Sequence, residues 1–339
     1  MLLADFDFPF DPELVATRPV EPRDQARLLL VPRTGGSWSH HRVHDLPALL
    51  RPNDLLVVND TRVLAARLVG RKRPTGGKVE LLLVKEREER TWEVLLKGKV
   101  EPGQVIELGQ GATVTVLLRG AGETVVRFAG SRPVRELIEE VGLMPLPPYI
   151  KREPTGEDRT WYQTVFARTD GSIAAPTASL HFTERLLDAL RGRGIGLATV
   201  TLHVGLGTFL PVKAPRVEEH RMLPERIVVP TETAETVEET KRGGGRIVAV
   251  GSTVARALEA SAGERGRVKP IRGETDLFIA PGYRFQVIDA LLTNFHLPRS
   301  TLLMLVSALA GVERLRAVYE EAVKERYRFY SYGDAMLIL

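Results

Sequence analysis

GSIAAPTASLHFTERLLDALRGRGIGLATVTLHVGLGTFLPVK, residues 171–213, sets the plan of the chain. It reads as loop, helix, strand and loop. Residues 174–180, rich in Ala, Pro, Ser and Thr, have neither a helical nor a strand period. Thr183 can then cap a helix running to Leu190, with Glu184 in the first turn, where the helix dipole favours an anion. Gly192, Gly194 and Gly196 end it. From Ala198 to Val204 the residues turn towards β-branched types, as in a buried strand. Gly205-Leu206-Gly207-Thr208-Phe209 follows at the strand's carboxyl end, where open α/β sheets place their ligands. A histidine stands at either end of the unit, His181 and His203. The pattern predicts a site built on a scaffold.

The flanking sequence extends this plan. Arg27–Pro32 and Leu55–Val58 read as strands, the second running into the turn-forming Asn59-Asp60-Thr61-Arg62. From Val63 to Gly130 short strands follow one another with turn signals between them and no helical stripe, the texture of a small barrel. Arg67, Arg71, Lys72, Arg73 and Lys78 cluster around its first hairpin, a pattern more typical of a solvated turn than of phosphate contact. A helix with Pro133 at its start and the rigid segment Pro145–Ile150 then return the chain to its first domain. The boundaries expected are therefore 1–62 and 151–339 for an α/β core and 63–150 for an inserted all-β barrel.

Further on, Arg226–Val229, Arg246–Val250, Glu274–Ala280 and Asp289–Thr293 read as strands. An acidic helix is expected over Ala234–Arg242 and others over Val254–Ala260 and Thr301–Leu309. An amphipathic helix and a terminal apolar strand close the chain. Gly251-Ser252-Thr253 lies between a strand and a helix, where ordinary capping by Ser252 or Thr253 competes with an anion site.

Composition narrows the function classes. The 339 residues are enough for two domains; 43% are hydrophobic and 27% charged, as in soluble globular proteins. With no cysteine there is no disulfide, thiolate metal site or cysteine nucleophile. The acidic start MLLADFDFPF does not resemble a signal peptide, and the longest apolar run is too short to span a bilayer, so the cytoplasm is expected. The net charge of +4 permits a nucleic-acid partner without demanding one. His40, His41 and His44 lack a carboxylate or third ligand and read as a solvated hairpin, so no metal is expected.

Polar residues recur just after strands: Asn59-Asp60-Thr61-Arg62, His203-Val204-Gly205, Gly251-Ser252-Thr253 and Asn294-Phe295-His296. If those strands are parallel neighbours, all four clusters share one rim and face one cleft. There is no G-x-S-x-G elbow and no glycine-rich methyltransferase loop. The residues alone thus reach a two-domain α/β enzyme with its site on a loop rim, without a substrate.

Four strings carry a resemblance: VVNDTRVLAARL at 57–68, PLPPYIKR at 145–152, APTASLHFT with TLHVGLGTFLPV between 175 and 212, and TNFHLPRSTLLMLVSALAG with YRFYSYGDAMLIL between 293 and 339. Together they make the chain similar, along essentially its whole length, to the S-adenosylmethionine:tRNA ribosyltransferase-isomerases of queuosine biosynthesis. It departs from the family pattern at Ser179, where glycine is usual, and in a looser Gly251-Ser252-Thr253-Val254-Ala255. The resemblance implies an α/β core with an inserted barrel. It also implies transfer and isomerisation of the ribosyl part of S-adenosylmethionine onto 7-aminomethyl-7-deazaguanine at the tRNA wobble position. Epoxyqueuosine forms, adenine and methionine leave, and S-adenosylmethionine serves as substrate with no separate cofactor. A monomer without membrane contact is expected.

Set against that chemistry, His181, His203 and His296, with Glu225 and Asp276 behind them, are the candidates for acid–base work. For any one of the histidines, packing in the core is an equally good account. Phe209, Tyr283 and Phe295 are candidates to flank adenine, and Gly251, Ser252 and Thr253 to hold the methionine carboxylate. Asn59, Asp60, Arg62, Thr177, Gly205, Gly207, Thr208 and Asn294 complete the substrate set. Arg62, Arg71, Lys72, Arg73, Lys151 and Arg152 are candidates for tRNA phosphate. Trp161 and Tyr162 could stack a base, but aromatics at a domain junction usually pack.

Overall fold

The computed structural model describes residues 1–120, 122–205, 207, 212 and 214–339. Its centre is a mixed sheet of nine strands among these residues, in the spatial order Ile271–Thr275, Glu225–Val229, Gly196–Leu202, Leu55–Asn59, Ile247–Val250, Ala290–Asn294, Ala335–Ile338, Arg27–Val31 and Ser39–Arg42. The four strands Gly196–Leu202, Leu55–Asn59, Ile247–Val250 and Ala290–Asn294 are consecutive and parallel. Their side chains alternate between two packed layers, which is why they read as near-continuous apolar runs. Leu55, Val57, Ile247, Ala249 and Leu291 face one layer. Leu56, Val58, Val248, Val250, Ala290 and Leu292 face the other.

The helices Thr231–Arg242, Ser252–Ala260, Thr301–Ala310 and Val312–Lys324 contribute their apolar residues to the first layer. Glu184–Gly192 contributes to the second. Thr183 caps this last helix as its sequence predicts, accepting a hydrogen bond from the Leu186 N–H. The strand expected over Glu274–Ala280 lies earlier, at Ile271–Thr275, where it pairs antiparallel with Glu225–Val229 as an edge. Residues 276–280 are instead loop, and Leu277, Phe278 and Ile279 line a cavity.

Arg67–Lys72, Lys78–Glu88, Thr91–Lys97, Val105–Gly109, Ala112–Gly120 and Glu123–Phe128 form a closed antiparallel barrel. Closure removes the free edges that a small sheet would expose. Leu68, Val79, Leu81, Val94, Ile106, Val114, Val126 and Phe128 fill it. That core continues through Leu64–Ala66 and the helix Val134–Val141 to Tyr162, Ile173, Ala175, Leu180 and Tyr332. The fold is thus an α/β core with an inserted β-barrel, and the barrel is packed against the core rather than tethered to it.

Candidate active site

The four parallel strands end on one rim, and a cavity of about 540 Å³ opens there. Thr177, Gly207, Gly251, Ser252, Thr253, Asn294 and His296 from the sequence-derived set line it. Tyr149, Tyr330 and Phe278 supply aromatic walls, and Leu302 and Leu305 of the helix Thr301–Ala310 supply an aliphatic one. A mostly apolar cleft with a few convergent polar groups is the usual form of a small-molecule site.

The polar groups are held firmly. His296 donates its backbone N–H to the Tyr319 hydroxyl at 2.8 Å, and its Nε2 lies 2.8 Å from Thr293 Oγ1. Burial pushes the imidazole pKa down to about 3, so the ring is neutral at physiological pH. His181 is likewise brought down to about 3, by burial first and then by the charges of Arg328 and Arg23. Bases so weak take few protons near neutrality, so these rings act as neutral hydrogen-bonding groups. Asn294 donates from Nδ2 to the Tyr330 carbonyl at 2.9 Å. Its Oδ1 and the Nε2 of His181 are buried without a partner among the described residues.

The helix Ser252–Ala260 begins at Gly251, whose φ of +93° suits glycine, and no side chain among the described residues caps it. Ordinary capping by Ser252 or Thr253 is therefore not what the structure shows. Thr253 Oγ1 instead accepts from Asn59 Nδ2 at 3.3 Å. One turn along, Arg256 also lines the cavity and is 6% exposed. It forms an ion pair through Nη1 with Glu225 Oε2, and its Nε donates to the Leu277 carbonyl at 3.0 Å. Its Nη2 is buried with no partner among the described residues. Sequence reasoning missed Arg256; the available signal was an arginine one turn into the helix STVARALEA, whose only other charged side chain is Glu259.

The other candidates lie elsewhere. Glu225 is buried against Arg256 and accepts from the Gly205 N–H at 3.0 Å, which makes it an anchor for that loop. His203 is just outside the cavity lining, its Nδ1 2.8 Å from Thr61 Oγ1, and its pKa is lowered by burial and by Arg226. Asp60 accepts from Thr201 Oγ1 at 2.6 Å. Asn59 is fully buried; its Oδ1 accepts from the Thr61 and Leu202 N–H groups and its Nδ2 donates to the Leu202 carbonyl. Asp276 is exposed. Phe295 is buried among Tyr319, Tyr327 and Phe329, and Tyr283 donates its hydroxyl to Glu259, so neither reaches the cavity wall. Thr208 and Phe209 lie outside the described residues.

Of the basic candidates, Arg62 is half-exposed beside Glu139 and Asp170. Arg71 donates to the Gly76 carbonyl, Lys72 to the Lys99 carbonyl, and Arg73 pairs with Glu107 on the barrel surface. Lys151 is exposed, whereas Arg152 makes two 2.7 Å hydrogen bonds to buried Asp158. Trp161 donates to Glu21 and Tyr162 is buried, in keeping with packing. Ser179 has no positive φ, so its backbone makes no demand for glycine, while its hydroxyl is buried with no partner among the described residues. No group of three or more His, Asp or Glu among the described residues could hold a metal ion. No described helix is long and apolar enough to cross a membrane.

Comparison with known proteins gives this site its context. Residues 3–338 match the family model described as queuosine biosynthesis protein. S-adenosylmethionine:tRNA ribosyltransferase-isomerases from Geobacter sulfurreducens and Symbiobacterium thermophilum are each 50% identical over 343 residues, with full coverage of both chains. The crystal structure of S-adenosylmethionine tRNA ribosyltransferase from Thermotoga maritima is 37% identical, covers 99% of this chain and 100% of its own, and superposes with a TM-score of 0.57. A full-length match at half identity, on a fold with its cavity at the sheet rim, leaves one conclusion: the chain belongs to the queuosine-biosynthesis family of S-adenosylmethionine:tRNA ribosyltransferase-isomerases.

Proposed function

We propose that this enzyme binds S-adenosylmethionine in the rim cavity and transfers its ribosyl part to 7-aminomethyl-7-deazaguanine at the tRNA wobble position. The ribose isomerises to an epoxycyclopentane, adenine and methionine leave, and epoxyqueuosine-tRNA is the product. No cofactor besides this substrate takes part. The observation that carries the reading is the union of His296, Asn294 and the Gly251–Thr253 helix start with an aromatic wall in one 540 Å³ cavity.

The sulfonium charge acidifies the ribose 5′ carbon, so a positioned base starts the rearrangement. His203, on the rim and less buried than the other two histidines, is best placed to exchange protons with an entering substrate. Neutral His296 and Asn294 orient adenine by hydrogen bonds, and adenine takes up a proton at its ring as it leaves. Tyr149, Tyr330 and Phe278 take the flanking role expected of Phe209, Tyr283 and Phe295. The incoming amine must be neutral to attack, which an apolar cavity favours by desolvation.

The tRNA approaches over Arg62, Lys151 and the barrel residues Arg71, Lys72 and Arg73. We place the domain divisions at 62/63 and 150/151 and the working enzyme in the cytoplasm as a monomer, which sedimentation would check. The decisive experiment incubates the protein with S-adenosylmethionine and tRNA bearing the free aminomethyl group. Stoichiometric adenine and methionine are expected. S-adenosylhomocysteine would indicate a methyltransferase, and binding of tRNA without S-adenosylmethionine turnover would indicate an RNA-binding module.

A further inference from the structure

We propose that Arg256, together with the uncapped start of the helix Ser252–Ala260, forms a carboxylate-binding subsite that holds the methionine end of the sulfonium substrate. The inference rests on the reading that S-adenosylmethionine occupies this cavity, and it assigns one end of that ligand.

Four observations converge. Gly251, Ser252 and Thr253 line the cavity at the helix start, where no side chain among the described residues satisfies the first N–H groups. Such a terminus attracts anions through its free donors and its dipole. Arg256 stands four residues later, on the same helix face, and helical side chains lean towards the N-terminus. Its guanidinium is directed by two fixed contacts, Nη1 on Glu225 and Nε on the Leu277 carbonyl. That leaves Nη2 as a buried donor with no partner among the described residues, on a residue that borders the cavity.

A buried guanidinium donor is costly to leave unpaired, and a carboxylate is the acceptor that satisfies it best. The Glu225–Arg256 pair is neutral as a unit, so it does not repel the sulfonium elsewhere on the ligand. The neighbouring N–H groups complete the reception of the second carboxylate oxygen. Glu225 thereby acquires a positioning role: it orients Arg256 and, through its other oxygen, the Gly205 backbone.

The test varies the ligand before the protein. Equilibrium binding to the unmodified protein is measured for S-adenosylmethionine and for its decarboxylated analogue, which keeps the adenosine, sulfonium and amine. Binding at least roughly tenfold weaker for the analogue is expected from one lost charge-assisted contact. In R256Q, affinity for S-adenosylmethionine should fall by a similar factor while affinity for the analogue stays as it was. Should that variant fail to fold, R256K keeps the charge beside Glu225 but lacks the second planar donor, and the same loss of discrimination is expected.

Equal affinity of the unmodified protein for both ligands would overturn the proposal, as would a variant that folds and still prefers S-adenosylmethionine. The product assay remains a separate measure. If neither sulfonium releases adenine with the modified tRNA, the reaction assignment fails, while the binding comparison still decides whether Arg256 reads a carboxylate.

Discussion

A Cβ built on Gly171 would stand 2.9 Å from Cε1 of His203, so the bare glycine backbone is what lets the imidazole lie against it. The glycine has a φ of +143°, a conformation that side chains rarely tolerate. The ring is also hydrogen-bonded to Thr61, on the strand Thr61–Val63 that pairs with Thr169–Ser172. Gly171→Ala is therefore expected to displace His203 and to cost about 1–3 kcal/mol of stability from strain and crowding. Turnover should fall more than the affinity for S-adenosylmethionine does. Thermal melting and steady-state kinetics check both, and a variant with unchanged melting and turnover would refute the clamp.

The buried histidines give the enzyme a defined acid response. The folded values of about 3 for His181 and His296 lie below the ordinary 6.5, so the unfolded chain takes up these protons first. Stability should therefore decline as the pH falls from 6.5 towards 3, and these two groups contribute nothing further below that. Urea midpoints across this range test the slope. Resonances of His181 or His296 that titrate near 6.5 in the folded protein would contradict it.

Arg152 and Lys151 are neighbours in sequence with different expected effects. Arg152→Ala removes the ion-pair partner of buried Asp158, leaving Thr155 and Tyr332 as its donors, and should cost about 3–5 kcal/mol, read as a large drop in melting temperature. Lys151→Ala should leave melting unchanged, because the side chain is exposed. Arg71→Ala should likewise spare the fold while lowering the slope of log affinity for tRNA against log salt by about 1, if its charge meets a phosphate. Binding measured at several salt concentrations separates the three.

Asn59 joins the strand Leu55–Asn59 to Gly196–Leu202 through both ends of its amide. Asn59→Ala leaves the Leu202 N–H and C=O and the Thr61 N–H without that partner, at a cost of about 1–3 kcal/mol for each group left buried and unpaired. Unfolding in urea should show the loss. A variant with wild-type stability would return Asn59 to the list of substrate contacts.

Much of this architecture was legible because period and punctuation carry it. Four apolar runs ending in small polar turns specify parallel strands buried on both faces, and the sheet places them side by side. Closely spaced short strands between 67 and 128 likewise specify a barrel. What a side chain touches was harder to read. Asn59 and Asn294 both end strands, yet one amide is spent on the neighbouring strand while the other borders the cavity. Phe295 and Phe278 are both single aromatics near strand ends; only packing of distant segments sends the first into the aromatic core and the second to the cavity wall. Arg256 was hidden because its partner, Glu225, is 31 residues away on another element.

The strand Ala335–Ile338 lies between Arg27–Val31 and Ala290–Asn294, pairing parallel with one and antiparallel with the other. These residues are made after every other strand, so a chain emerging from the ribosome cannot join its first hairpin to the rest of the sheet. The barrel, complete by Phe128, has no such wait. During synthesis a closed set of barrel strands is thus attached to a sheet that is still divided.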